Sequence, residues 1–165
     1  MMGHIIMGID PGPEKSGVVI VSDDRCLSPS YFGHCPNDDV LHKGVKPHRV
    51  IIEEVVPYYA KKGSMCIGVP LLKTCEATGR FIERCDYMDI PCELLTTPTI
   101  RTRLCNSRKV GRPEVKQAIY DYYGGKEVAV GKKNSPGPLY CLKGQPDHVW
   151  SALAVAMAYL VGSGR

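Results

Sequence analysis

Acidic side chains stand at three points of this chain, each beside an apolar run. Asp10 ends the run HIIMGID, Glu53 and Glu54 end the run RVIIEE, and Asp147 with His148 begins the run DHVWSALAVAMAYL. Carboxylates that are brought together repel one another, and only a proton or a divalent cation makes the arrangement tolerable. Oxygen ligands favour Mg²⁺ or Mn²⁺, ions that serve phosphoryl transfer. A fold that gathers the three points would therefore hold a metal-dependent site for phosphate chemistry.

Each of these residues also has a structural interpretation that involves no ligand. Asp10 precedes Pro-Gly and could be a turn residue, while Glu53 and Glu54 could form a solvated strand end. Asp147 could be a helix cap, and His148 could be a surface histidine. Taken singly, none of these residues identifies a site.

Short β-branched runs and helical periodicities follow one another along the chain. A loop or short helix is expected at residues 36–49, an irregular loop at 60–69, and a basic loop at 126–146, where Gly and Pro accompany four lysines. The chain begins with strands, continues with alternating helices and strands, and ends in a helix. This order predicts an α/β domain with a mixed sheet, in which the three acidic points could converge. Strands are predicted at 4–10, 17–22, near 30–34, at 49–59 and at 90–99, and helices at 71–87, 112–125 and 147–160.

Composition limits the class of protein. The chain has 165 residues, of which 44% are hydrophobic and 23% charged, as in one ordinary soluble domain. The net charge of +4 is compatible with a polyanionic partner. No apolar stretch approaches the roughly 20 residues of a membrane span, so we expect no membrane association and no secretion signal. The eight cysteines form no C-x-x-C pair, which favours reduced thiols in a cytosolic protein over disulfides or a structural zinc site.

Three motifs carry a resemblance to a known family. GIDPGPEKSG, IIEE and DHVWSALAVAMAYL resemble the acidic motifs of the ribonuclease H-like superfamily, and more narrowly those of RuvC-type Holliday junction resolvases. The segments TCEATGRFIE, TIRTRLCNS and KKNSPGPLYCLKG are similar to the phage-associated branch. The resemblance covers most of the chain. It implies a ribonuclease H-like mixed β-sheet flanked by helices, as a single RuvC-like nuclease domain over residues 1–165.

The resemblance also implies roles for individual residues. Asp10 matches the aspartate that bridges two metal ions in the family, and Glu53 matches the strand-end glutamate. Glu54 beside it is the less likely match. Adjacent strand residues point to opposite faces, so only one of the two glutamates should reach the cluster. In the third motif the helical ligand positions fall on His148 and Ser151, with Asp147 one residue earlier, where the family usually has two acidic residues. Ser151 is a poor metal ligand, so we expect Asp147 or His148 to contact a metal.

The activity implied is metal-dependent, structure-selective cleavage of branched DNA such as Holliday junctions. Two Mg²⁺ or Mn²⁺ ions about 4 Å apart would drive phosphodiester hydrolysis, in a homodimer that cuts two opposed strands. The expected location is the cytoplasm of a bacterium or a phage-infected host. Basic residues expected to bind phosphates are Arg101, Arg103, Arg108, Lys109, Arg112, Lys132, Lys133 and Lys143.

Two other classes of function stay open. A non-catalytic protein that binds branched nucleic acid on the same fold would explain the departure at Ser151. An ATP-binding fold of the actin and sugar-kinase type also has a phosphate loop that reads Asp-x-Gly after its first strand, but it needs two comparable domains with such a loop in each. A chain of 165 residues lacks the room for the second.

Overall fold

A mixed sheet of five strands forms the centre of the molecule. The computed structural model describes residues 4–22, 27–41, 46–56 and 68–162. The strands are β1 (Ile5–Asp10), β2 (Lys15–Ser22), β3 (Pro29–Pro36), β4 (Arg49–Glu54) and β5 (Cys92–Thr96). They lie in the order β3-β2-β1-β4-β5. β1 pairs antiparallel with β2 and parallel with β4, while β2–β3 is antiparallel and β4–β5 is parallel. The α/β class and the mixed sheet predicted from the sequence are confirmed.

Within the described residues, five α-helices connect or cover the strands. They are α1 (Val69–Tyr87), α2 (Thr97–Cys105), α3 (Arg112–Tyr122), α4 (Lys126–Val130) and α5 (Asp147–Gly162). Three of them, α1, α2 and α3, carry a proline in their first two positions, where its missing N–H costs no hydrogen bond. The bounds of α1, α3 and α5 confirm the helices predicted at 71–87, 112–125 and 147–160, with small shifts of their ends.

Two predicted segments differ from the structure. Strand β5 ends at Thr96 rather than at residue 99, because Thr96 caps α2 by accepting a hydrogen bond from the Thr99 backbone N–H. The basic loop predicted at 126–146 is wrong as a loop: it contains α4, a 3₁₀ turn at Tyr140–Leu142 and a small hairpin. That hairpin pairs β6 (Gly131–Lys132) with β7 (Ser135–Pro136).

Other local predictions are confirmed or lie outside the described residues. The third strand is present, and the uncertain segment after it contains a short 3₁₀ helix at Asn37–Asp39. The strand predicted at 49–59 ends at Glu54, and its residues 57–59 lie outside the described part, as do residues 60–67 of the predicted loop.

Side chains alternate between the two faces of the sheet and feed two apolar cores. On one face, Ile6 and Ile51 pack against α5 together with side chains of α2 and α3. On the other face, Ile9 and Ile52 pack against Phe81 of α1. We call these the α5 face and the α1 face. Asp10 and Glu53 lie at alternating positions with Ile6 and Ile51, which places them on the α5 face.

The backbones of α5 and β1 approach very closely. A Cβ added at Gly8 would collide with the backbone oxygen of Ala152 and touch Ala156. Glycine in the strand and alanine in the helix therefore set the distance between the two elements. This contact fixes where the first turn of α5 stands relative to the end of β1.

Two further predictions concern cysteines and membranes. Cys26 and Cys66 lie outside the described residues. Among the described helices, none is both long enough and apolar enough to cross a bilayer. The described cysteines are free thiols: Cys35, Cys75, Cys85, Cys92, Cys105 and Cys141.

Candidate active site

Asp10 and Glu53 are neighbours at the carboxyl edge of two parallel strands. Ile9 of β1 pairs with Ile52 of β4, and each carboxylate follows its isoleucine by one residue. Glu53 is close enough for the charge of Asp10 to raise its pKa. Parallel pairing thus brings two acidic residues that are 43 positions apart in the sequence to one point.

The surroundings disfavour ionisation of both carboxylates. Burial raises the pKa of Asp10, whose side chain keeps 13% of its accessible surface. Hydrogen bonds from His148 and Ser151 and the charge of Arg112 act in the opposite direction. Burial also raises the pKa of Glu53, and a hydrogen bond from Thr97 opposes this. The hydrogen bonds and nearby positive charge therefore offset only part of the cost of burying two ionised carboxylates. A bound cation would supply the missing positive charge.

His148 and Ser151 connect the first turn of α5 to Asp10. His148 Nδ1 lies 2.8 Å from Asp10 Oδ2. An ionised carboxylate only accepts hydrogen bonds, so Nδ1 donates this bond whenever Asp10 is ionised. Ser151 also acts to lower the pKa of Asp10 and lines the cleft beside it. Residues three apart lie on one face of a helix, so α5 presents both groups to the same carboxylate.

Thr97 holds the second carboxylate in the same way. Its Oγ1 donates to Glu53 Oε1 at 2.7 Å. Thr97 is the first residue of α2 and follows β5, the parallel neighbour of β4. The sequence analysis missed Thr97, although its position after a strand of the parallel set was a signal that could have identified it.

A cleft of about 710 Å³ opens beside the two carboxylates. Asp10, Glu53, Glu54, Asp147 and Ser151 line it together with apolar side chains of α2 and α3. His148 does not line the cleft. It therefore approaches Asp10 from the β2 side, whereas Glu53 approaches from the β4 side.

Two arginines bring positive charge to this cleft. Arg101 and Arg112 line it. The charge of Arg112 lowers the pKa of both carboxylates, and the charge of Arg101 lowers that of Glu53. Lys116 also lines the cleft, with its Nζ 4.1 Å from the centre of the Trp150 ring. A cleft with acidic and basic side chains side by side suits a phosphodiester and a cation together.

The other predicted phosphate-binding residues lie elsewhere. Arg103 Nη1 donates to the backbone oxygen of Ala158 at 3.4 Å, and its side chain packs against Gly162, so it is engaged with the end of α5. The remaining basic residues have exposed side chains and do not line the cleft: Arg108 and Lys109 after α2, Lys132 and Lys133 at the hairpin, and Lys143 before α5.

The donor set fits a divalent cation in its chemistry. Asp10 and Glu53 offer carboxylate oxygen ligands close together. Mg²⁺ and Mn²⁺ prefer such hard oxygen ligands. Within the described residues, no group of three or more His, Cys, Asp or Glu side chains is arranged to hold a metal ion. The structure therefore brings together Asp10 and Glu53, and Asp10 and His148, while Asp147 lies at the rim of the same cleft.

Solved structures share this fold. A structure of RuvC from Thermus thermophilus aligns at a TM-score of 0.69 and 16% identity, covering 98% of this chain and 96% of that chain. T. thermophilus RuvC in complex with a Holliday junction substrate aligns at 0.68 and 17%, covering 97% and 94%. The yeast mitochondrial Holliday junction resolvase aligns at 0.64 and 13%, covering 99% and 80%.

These likenesses define the fold of the chain. The chain has an α/β fold of the ribonuclease H-like type. Within that type, it has the fold of RuvC and of the yeast resolvase, so the RuvC-like fold expected from the motifs is confirmed. No family model and no curated protein matches the chain by sequence.

Proposed function

We propose that this protein is a metal-dependent, structure-selective endonuclease that hydrolyses phosphodiester bonds in branched DNA such as Holliday junctions. The observation that carries the proposal is the pair of neighbouring carboxylates, Asp10 and Glu53, whose ionised forms are disfavoured by burial, beside a cleft that Arg101 and Arg112 also line. The fold supports it, since one structure with the same fold holds a Holliday junction substrate.

Residues of the chain have separate roles in this proposal. Asp10 and Glu53 would hold Mg²⁺ or Mn²⁺, with His148 or Asp147 as the third ligand. When bound, the cation supplies the positive charge that activates water and stabilises the leaving oxygen. Thr97 orients Glu53 through its hydrogen bond. Arg112 and Arg101 would contact the phosphate next to the carboxylates, and their charge offsets repulsion between the acidic site and DNA.

The remaining parts of the proposal concern assembly and DNA binding. A four-way junction has opposed strands of equal geometry, so two active sites in a C2 homodimer would cut it symmetrically. The exposed basic residues on the hairpin and after α2 would add salt-dependent contacts to phosphates. The protein would act where DNA is accessible, in the cytoplasm of a bacterium or a phage-infected host, and its assignment to the phage-associated branch stays a prediction.

End-labelled synthetic junctions test this function. Four-way junctions, forks and linear duplexes are incubated with the protein and Mg²⁺ or Mn²⁺, with Asp10→Asn as the matched variant. We expect paired nicks in the four-way junction, lost in the variant and in EDTA. Cleavage of forks in preference to junctions would keep the chemistry and overturn the substrate. Equal cleavage by Asp10→Asn would overturn the site.

A non-catalytic branched-DNA-binding protein is the second candidate. The observation that favours it is Ser151, which lines the cleft beside Asp10 at a position where an acidic ligand is expected. Such a protein would bind four-way junctions tightly, would cleave no substrate with either metal, and would bind equally well as Asp10→Asn.

A further inference from the structure

A row of three residues crosses the sheet next to the proposed active site. Asp10 of β1 pairs with Gly17 of β2, and Gly17 pairs with His34 of β3. Directly paired residues share a face of the sheet, with neighbouring Cβ atoms about 5 Å apart. Asp10 and His34 therefore lie on the α5 face, with a glycine between them.

The missing side chain at Gly17 makes room for the first turn of α5. A Cβ at this position would collide with the backbone oxygen of His148. The backbone of His148 thus sits directly over the middle of the row. Its imidazole can reach Asp10 on one side and His34 on the other.

The His148 ring contacts both Asp10 and His34. Nδ1 lies 2.8 Å from Asp10 Oδ2, and the ring stacks on that of His34 with centroids 5.1 Å apart and planes 13° apart. The His148 side chain keeps 45% of its accessible surface, so the rest of the protein restrains it only partly. A flat neighbour restricts its rotation and lowers the entropy cost of holding the bond to Asp10.

We infer that His34 is a positioning residue, which stacks on His148 and thereby holds the imidazole in the rotamer that bonds to Asp10. The inference deepens the proposed nuclease function and rests on it. His34 has an exposed side chain on strand β3 and is not among the residues that line the cleft. The contact by which it can act on the site is its stacking on the His148 ring.

The test compares three variants. His34→Ala removes the ring, and His34→Phe keeps a flat ring without ring nitrogens. His4→Ala is the matched control: it removes an exposed histidine that contacts another histidine ring, His48, at the opposite end of β1.

The first readout is independent of cleavage. Imidazole ¹⁵N spectra of the metal-free protein at neutral pH, with His148 assigned by His148→Gln, report which ring nitrogen carries the hydrogen. We expect the Nδ1–H form in the wild type, a mixture of both tautomers in His34→Ala, and the Nδ1–H form again in His34→Phe and His4→Ala. An unchanged His148 spectrum in His34→Ala would overturn the inference, whether or not the protein cleaves DNA.

The second readout is the cleavage rate on four-way junctions with Mg²⁺. We expect kcat to fall roughly three- to tenfold in His34→Ala with KM unchanged, since about 1 kcal/mol of lost positioning corresponds to this range. His34→Phe should recover the rate. Equal losses in the Ala and Phe variants, or a loss in KM alone, would contradict positioning by stacking. A wild-type protein that cleaves nothing would overturn the proposed function, while the spectra would still decide the inference.

Discussion

The two faces of the central sheet are packed in different ways. On the α5 face, the helix meets the strands backbone to backbone, at Gly8 against Ala152 and at Gly17 against His148. On the α1 face, large side chains such as Phe81 fill the space between helix and sheet. Gly79 in the middle of α1 is exposed, and an added Cβ there would meet no atom of another element.

This difference explains why the polar residues cluster on one face. Close backbone contact leaves little freedom for α5 to shift, so the residues of its first turn reach Asp10 in a fixed geometry. Side-chain packing on the α1 face contributes burial and tolerates small adjustments. The α5 face therefore positions the site, whereas the α1 face mainly stabilises the fold.

Glu53→Gln should cause the largest effect. The change keeps the shape and the hydrogen bond to Thr97 but removes one charge from the carboxylate pair, so junction cleavage should fall by roughly 10³-fold. Metal-free binding to the junction should persist. The adjacent Glu54→Gln, whose side chain begins on the other face of the strand, is the matched control and should lose far less. Equal losses in a single-turnover assay would contradict the assignment of Glu53.

Gly8→Ala should be the next largest effect, on stability. The added methyl group must push α5 away from β1, which should lower the free energy of unfolding by about 3 kcal/mol. Gly79→Ala is the control on the α1 side and should gain about 0.5–1 kcal/mol, since alanine is the better helix former. Urea denaturation measures both. An unchanged free energy of unfolding for Gly8→Ala would contradict the proposed difference in packing between the two faces.

The stability of the metal-free protein should depend on pH through the two carboxylates. Burial raises the folded-state pKa of Asp10 and Glu53 above their ordinary values of 3.8 and 4.5. The stabilisation is therefore complete below those values and is lost as the pH rises through the raised pKa.

Glu53→Gln cannot ionise at this position and should not show the loss. In EDTA, the melting temperature of the variant minus that of the wild type should grow between about pH 4 and about pH 8. Calorimetry at matched ionic strength measures this difference. A difference that stays constant with pH would show that the carboxylate is well compensated in the folded protein.

Replacing Arg112 or Arg103 should give the smallest effects, and each replacement should change a different quantity. Arg112→Ala should reduce the slope of log K against log salt for junction binding by about one, with little change in stability. Arg103→Ala should leave the slope unchanged and lower stability by about 1 kcal/mol, because it loses a hydrogen bond to α5. Salt titrations and urea melts separate them. A reduced slope for Arg103→Ala would show that Arg103 contacts DNA phosphates.

The sequence predicts much of the fold because local patterns dominate there. The β-branched runs that end in Asp10 and Glu53 identified two strands, and parallel pairing brought their ends together. Helix α2 was missed because its residues Thr97–Cys105 follow a strand directly and show little amphipathic pattern. The elements within 126–146 are short, and the glycines and prolines that shape them also occur in loops.

The partners of the carboxylates were harder to predict. The sequence left Asp147 and His148 as alternative metal ligands at the start of α5. It did not predict the hydrogen bond between His148 and Asp10, which depends on how closely the helix meets β2. His34 could not be found at all, because its place in the row depends on strand register and on the empty position at Gly17. Contacts of this kind arise from tertiary packing and leave no local pattern.

Binding of Mn²⁺ to the DNA-free protein shows whether Asp10 and Glu53 form a cation site. Isothermal titration calorimetry would compare the wild type with Asp10→Asn and Glu53→Gln, after a check of folding by circular dichroism. The account predicts that the wild type binds Mn²⁺ and that each variant loses this binding. Equal binding by all three proteins, or no binding by the folded wild type, would contradict a cation site at this edge of the sheet.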